Sequence, residues 1–291
     1  MPSVMTNPGG KIVSYERLER CFWRDIWKVA PLDAVRESGV EMRWFGPLLA
    51  TVFAELPEEP LLNVIRGAGQ PGAARQGYLE EAVEWMQDWG VDFLLPVAAT
   101  GPGGEQTEAW LNWHGYEQRS VSRTYVRAVG ELDVADAPGV EVIDLPEPVE
   151  TEGMCQYVVE GLGLPELAEF LFCDLPLIPG WRCYAAYLDG YEVACGSMLI
   201  LDGIALLGLD ATTSRARRRG CHRALLRRRL ADAAAAGCHT AISSAFDLPS
   251  GGASAAALSL RAAGFVEACR STGWQQPLHS RPVGTYSSWR R

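Results

Sequence analysis

Eight arginines fall between Arg215 and Arg229, in a chain that as a whole holds more acidic than basic residues, 36 against 26. Within the run, Gly220 follows Arg217-Arg218-Arg219 and precedes Cys221-His222-Arg223 and an alanine- and leucine-rich stretch that ends at Gly237. A glycine turn that opens a helix aims free backbone N–H groups and the positive end of the helix dipole at one place, so this stretch is expected to hold a phosphate. Just before it, Ile204-Ala205-Leu206-Leu207-Gly208-Leu209-Asp210 is short and almost wholly apolar, the pattern of a strand covered on both faces. Asp210 is the one acidic residue near the end of that strand. It is a candidate general base, directly or through water, and equally a carboxylate that caps the next turn or pairs with an arginine.

The remaining chemistry-bearing residues weigh less. Arg217, Arg218, Arg219 and Arg223 lie in the turn or first helical turn, where they can reach phosphate. Arg227, Arg228 and Arg229 are expected on the solvated face of the helix, with Leu226, Leu230 and Ala233 toward the sheet. Cys221 at the helix N-terminus is expected to have a lowered thiol pKa, though no base and orienting group mark it as a nucleophile. The eight cysteines are scattered, without C-x-x-C or paired spacing to the four histidines, and are expected as free, mostly buried thiols with no metal.

These residues need a scaffold. At 291 residues and 48% apolar composition the chain can bury a large core. No segment has a signal-peptide layout or the length of a membrane span, which predicts a cytoplasmic, soluble protein with no membrane partner. The net charge of −10 argues against broad nucleic-acid binding. Periodicity and turn signals predict one or two helices over residues 14–37 with Pro31 between them, strands at Val40–Phe45, Leu48–Ala54 and Leu61–Ile65, a helix Gly77–Trp89, a strand Phe93–Val97 and a helix Glu108–His114. Within an acidic, proline-rich stretch at 129–152, Val140–Ile143 reads as a strand; next, Thr151–Leu162 and Pro165–Cys173 read as helices, and Trp181–Tyr187 with Val193–Leu201 as a hairpin turning at Asp189-Gly190. After the phosphate turn and its helix come a strand, Thr240–Phe246, and a helix, Ala255–Ala263.

The order helix, glycine, strand, helix, Gly-aromatic occurs twice, from Gly90 to Gly115-Tyr116 and from Gly237 to Gly264-Phe265. A duplicated αβ unit follows, with the boundary near Ala135–Gly139. Arg66-Gly67-Ala68-Gly69 imitates the phosphate turn, but Pro71 removes an N–H from it and no arginine cluster follows.

In these residues the sequence resembles the GNAT superfamily of acyl-CoA-dependent N-acyltransferases, whose pyrophosphate turn reads Gln/Arg-x-x-Gly-x-Gly/Ala. Arg217-x-x-Gly220-x fits, while His222 takes the final Gly/Ala place. Both Gly-aromatic closures are similar to the last motif of that family, and Asn63-Val64-Ile65-Arg66-Gly67-Ala68-Gly69 to a turn of GNAT-like lobes fused ahead of a competent one. The resemblance implies an α/β (α+β) fold of two GNAT-like lobes, each a mixed, mostly antiparallel sheet flanked by helices. Residues 1–135 would form a degenerate lobe and residues 136–291 the acyl-CoA-binding domain.

The resemblance implies acetyl-CoA or another acyl-CoA as donor and a small-molecule amine as acceptor. It places Arg217, Arg218, Arg219, Gly220, Cys221, His222 and Arg223 at the diphosphate or the ribose 3′-phosphate. Backbone groups around Leu209, Asp210, Ala211 and Thr212 would stand at the thioester, where two strands splay apart. The family's usual acid, a tyrosine four residues before the closing Gly-Phe, is replaced by Leu260, leaving Ser244, Cys221, Tyr184 or another group open. A phosphopantetheine thioester on an acyl carrier protein, an aminoacyl-tRNA, or an inactive ligand-binding or scaffold role are the alternatives, and the oligomeric state is left open.

Overall fold

Asp189-Gly190 and Asp202-Gly203 both take positive φ, 54° and 82°, then 52° and 76°, the conformation of tight hairpin turns. They fold residues 181–212 into three consecutive antiparallel strands, as the turn signals predict. The computed structural model describes residues 4–6, 12–98, 102–130, 137–248 and 250–277.

In chain order the elements are β1 (Val4–Thr6), β2 (Ile12–Ser14), α1 (Tyr15–Val29), α2 (Leu32–Glu37), β3 (Val40–Phe45), β4 (Leu48–Phe53), β5 (Val64–Arg66) and α3 (Tyr78–Asp88). Then follow β6 (Leu95–Ala98), α4 (Pro102–Trp113), β7 (Glu117–Ala128), β8 (Val140–Asp144), α5 (Glu152–Leu162) and α6 (Phe170–Cys173). The last are β9 (Trp181–Leu188), β10 (Tyr191–Leu201), β11 (Ile204–Thr212), α7 (Cys221–Ala235), β12 (Thr240–Phe246), α8 (Ala255–Ala262) and β13 (Val266–Gln275). Most predicted elements are present. The expected helix over Pro165–Cys173 is broken, with one 3-10 turn at Glu166–Ala168 ahead of α6.

Contacts divide the chain into two units, one of Met1–Glu37 with Ser122–Arg270 and one of Ser38–Val121 with Ser271–Arg291. This differs from the sequence division at 135/136. Residues 131–136, where that boundary was expected, lie outside the described residues. The first 37 residues join the unit that carries the phosphate turn because α1 packs there. Phe22 lies 4.6 Å from the Trp181 ring, and a Cβ on Gly208 would come within 2.8 Å of Phe22. The Trp181 indole N–H donates to Asp25 at 3.2 Å, and Tyr15 Oη and Ser244 Oγ are hydrogen-bonded at 2.6 Å.

In that unit the strand order is β13-β7-β12-β11-β10-β9-β8. Strands β8 to β11 pair antiparallel, whereas β11 and β12 run parallel. Helices α7 and α8 cover one face through a core of Leu207, Leu225, Leu226, Leu230, Leu260 and Phe265. The other unit has the antiparallel sheet β3-β4-β5, with α3 packed by Leu79, Val83 and Met86. There Asn63 is fully buried and satisfied. Its side-chain amide donates to the Leu56 and Glu59 carbonyls, and its oxygen accepts from the Phe53 N–H at 2.7 Å. The eight cysteines are free thiols, six of them buried.

Candidate functional site

The parallel pairing of β11 with β12 covers only Ile204–Leu207 against Thr240–Ser243, although the strands continue to Thr212 and Phe246. Beyond Leu207 the two strands part. On the other edge of β11 the register with β10 shifts between Cys195 and Ser197. Two residues, Leu209 and Asp210, stand there opposite Gly196 alone. Leu209 takes φ 53°, so β11 carries a bulge where its pairing with β12 has ended. Among the described residues, 209–212 of β11 have no pairing with β12.

Past the gap the chain turns into α7. Gly220 is the residue immediately ahead of the helix, with φ 89°, and a Cβ there would come within 2.7 Å of Ala137 Cβ. Both the backbone angle and the space require glycine. Arg218 also takes positive φ, 64°. Among the described residues, the N–H groups of Gly220, Cys221, His222 and Arg223 find no backbone acceptor, as a helix start demands. Arg215, Arg217, Arg218, Arg219, Arg223 and Arg227 are exposed around them. N–H groups at a helix start, the positive helix end and exposed guanidinium donors would suit a diphosphate. Among the described residues no cluster of His, Cys, Asp and Glu could hold a metal.

The structure assigns four of the sequence-predicted residues differently. Arg229 is not on a solvated face but is fully buried, 0% exposed, and is the largest such side chain described. Its guanidinium contacts both carboxylate oxygens of Asp210 and donates to the Ser197 carbonyl at 2.9 Å and the Leu225 carbonyl at 3.3 Å. Asp210 thus takes the arginine-paired alternative, and its charge is already neutralised by a fixed partner. A Cβ on Gly196 would come within 2.9 Å of both Arg229 Nη1 and Asp210 Oδ1, so the pair fits only over that glycine.

His222 does not reach outward to phosphate. Its ring lies inward, Nδ1 2.8 Å from Ser259 Oγ on α8 and Nε2 3.6 Å from Asp210 Oδ1. Burial holds its pKa below the usual 6.5; Asp210 pulls it up, and Arg229 pushes it down. The Cys221 thiol is raised rather than lowered, because desolvation outweighs the helix end. Arg228 is half-buried, paired with Asp232 at 3.0 Å and Asp144 at 3.1 Å, and only Arg227 of that trio is exposed.

Of the groups that could replace the absent tyrosine acid, Tyr184 is fully buried and donates to Asp232 at 2.9 Å, which commits it elsewhere. Ser244 lies one residue past the last β11–β12 pair and is bonded to Tyr15. Leu260, on α8, is buried in the core.

No family model matches the sequence, and no curated protein matches it. Solved structures do. A GCN5-related N-acetyltransferase from Kribbella flavida is similar at TM-score 0.62 and 17% identity, covering 90% of this chain and 95% of its own. One from Sphaerobacter thermophilus is similar at TM-score 0.57 and 16% identity, over 81% and 75%. A tandem GNAT protein from the clavulanic acid biosynthesis pathway is similar at TM-score 0.56 and 14% identity, over 78% and 77%. Likeness at this identity establishes the fold.

Proposed function

We propose that this chain, which has the tandem GNAT fold, is an N-acyltransferase that takes an acyl group, most simply acetyl, from a CoA thioester and passes it to the amine of a small molecule. The observation that supports it best is the pairing of a strand gap at residues 209–212 with an open helix start at Gly220 on the same strand-turn-helix unit.

CoA would supply the acyl group as a thioester. Arg217, Arg218, Arg219 and Arg223, with the free N–H groups of Gly220 to Arg223, would hold its phosphates. The edge of β11 beyond Leu207, left without a strand beside it, would receive the pantetheine arm. Backbone groups at the Leu209 bulge would polarise the acyl carbonyl, with Ala211 and Thr212 lining the arm. Asp210 is proposed here not as the base but as the carboxylate that fixes the bulge through Arg229. An attacking amine must be neutral, and the hydroxyls of Tyr15 and Ser244, 2.6 Å apart at the mouth of the gap, offer a path for its proton.

The exposed arginine rim also favours a second donor of the same chemistry, the phosphopantetheine arm of an acidic acyl carrier protein. Charge reversal at Arg227, which is exposed and outside the turn, would weaken transfer from a carrier and spare free acyl-CoA.

The test is release of free CoA thiol from acetyl-CoA across a panel of amines. We expect turnover with at least one amine, and for Arg217→Glu/Arg218→Glu a KM for acetyl-CoA raised about 10- to 100-fold with kcat changed far less. Absence of turnover with every amine, together with absence of CoA binding, would remove the assignment.

A further inference from the structure

Cys155 and Cys173 meet where α5 packs on α6, their thiols hydrogen-bonded to each other. Thr151, just ahead of α5, ties the two backbones together. Its carbonyl accepts the Cys155 N–H at 2.9 Å, and its hydroxyl reaches the Cys173 carbonyl at 2.7 Å. The Cys173 S–H donates to the Glu169 carbonyl at 3.3 Å, which leaves the Cys173 sulfur lone pairs to accept from Cys155.

The surroundings of the two thiols differ. Cys155 is 1% exposed, whereas Cys173 is half-buried. The hydrogen bond from Cys155 lowers the Cys173 pKa, and it prevails over burial and the carboxylates of Asp174, Glu169 and Glu152, all of which raise it. The same hydrogen bond, with burial, pushes Cys155 up. One sulfur is reachable and favours the thiolate, and its neighbour is sealed and keeps its proton. A partly exposed thiol of lowered pKa beside a second thiol is the arrangement of an oxidant-sensitive cysteine with its resolving partner.

We propose that Cys173 and Cys155 are a reversible redox pair, in which a peroxide oxidises Cys173 and Cys155 then closes a disulfide between α5 and α6. The Cys173 sulfur bonds to one peroxide oxygen as the O–O bond breaks with its electron pair on the other, which takes up the thiol proton and leaves as water. Cys173 is then a sulfenic acid. The Cys155 sulfur bonds to the Cys173 sulfur, the S–O bond breaks, and the hydroxide leaves with the Cys155 proton as a second water. The two thiols are oxidised and one peroxide is reduced to water.

The helix so tied is the one that backs the bulge. A Cβ on Gly161 of α5 would come within 2.8 Å of Ala211 Cβ, and the Cys195 thiol lies 3.7 Å from both the Met154 and the Leu209 carbonyls. The chemistry of the pair does not rest on the acyltransferase reading.

The experiment exposes the full, reduced chain to hydrogen peroxide, blocks the remaining thiols by alkylation and maps linked peptides by mass spectrometry. We expect a Cys155–Cys173 cross-link that dithiothreitol reverses, formed at least about tenfold faster than any of the other cysteines is oxidised. Cys155→Ser keeps a donor beside Cys173 but cannot close the bond, so a sulfenic acid should accumulate at Cys173 and be captured by dimedone. Cross-links through other cysteines instead, or oxidation of Cys173 no faster than that of the rest, overturn the proposal. Calorimetric titration of the reduced chain with CoA runs beside it. The Cys155–Cys173 cross-link without CoA binding would keep the redox pair and remove the CoA reading instead.

Discussion

At Arg66-Gly67-Ala68-Gly69 the chain is closed by protein. Ala68 is fully buried, its carbonyl accepts from Thr107 Oγ1 at 2.5 Å, and a Cβ on Gly103 would come within 2.7 Å of the Gln70 carbonyl carbon and 2.8 Å of Pro71 N. Arg66 itself is buried beside Thr51, at 3.3 Å. The next helix does not open from this turn but starts at Tyr78, after Gly77. At Arg217-Arg218-Arg219-Gly220 the glycine itself precedes the helix, the three arginines are exposed, and the following N–H groups have no backbone acceptor among the described residues. The same Arg-x-x-Gly letters therefore give a buried packing turn in one unit and a helix start rimmed by exposed arginines in the other. What separates them is whether the glycine adjoins the helix and whether the arginine is buried or exposed.

The brace beneath the open turn is the place to break this contrast most severely. Arg229→Met leaves Asp210 beside the core without its partner, and urea unfolding should report a loss of about 3–5 kcal/mol. Asp210→Leu/Arg229→Met should recover most of it. A loss below about 1 kcal/mol, the size of an exposed pair, would mean the carboxylate is not held.

Adding a methyl to each glycine separates the turns more finely. Gly103→Ala should cost about 1–3 kcal/mol by overpacking and leave CoA affinity unchanged. Gly220→Ala strains a φ of 89° and meets Ala137, and it should also weaken CoA binding at least about tenfold. Equal effects on affinity would erase the distinction.

His222 supplies a pH signature to the open turn alone. Its folded pKa lies below 6.5, so well above 6.5 both states are neutral. As pH falls through 6.5 the unfolded chain takes up the proton first, and stability declines until the folded pKa is passed. The slope is at most about 1.4 kcal/mol per pH unit. His222→Gln should flatten that part of the urea-midpoint profile, and an unchanged profile would contradict the buried placement. The smallest effect is expected in the closed turn, where Thr107→Val should cost about 1 kcal/mol by removing one hydrogen bond.

Much of this was legible beforehand. Asp-Gly turns and alternating strands announced the hairpin of β9 and β10, and β12 begins and ends where its pattern does, at Thr240 and Phe246. Gly220 announced the helix start. Arg229 was misplaced because a run of three arginines looks solvated. Yet positions 222, 226, 229 and 233 share one helix face with Leu226 and Ala233, and that spacing puts both His222 and Arg229 inward. Gly196, an isolated glycine in a strand, was the signal for a close neighbour. The Ser259 contact was not readable, since only the fold brings α8 to α7. Nor was the placement of α1, because its Phe22 needs Gly208, some 190 residues on, and no local pattern encodes so distant a contact.

The central claim, one open phosphate turn in a chain with two look-alikes, is tested most directly by calorimetric titration of the full chain with CoA. The account predicts a single site per chain that Arg217→Glu/Arg218→Glu weakens about 10- to 100-fold and Gly103→Ala leaves intact. Two sites per chain, or an affinity indifferent to the charge at residues 217 and 218, would contradict it.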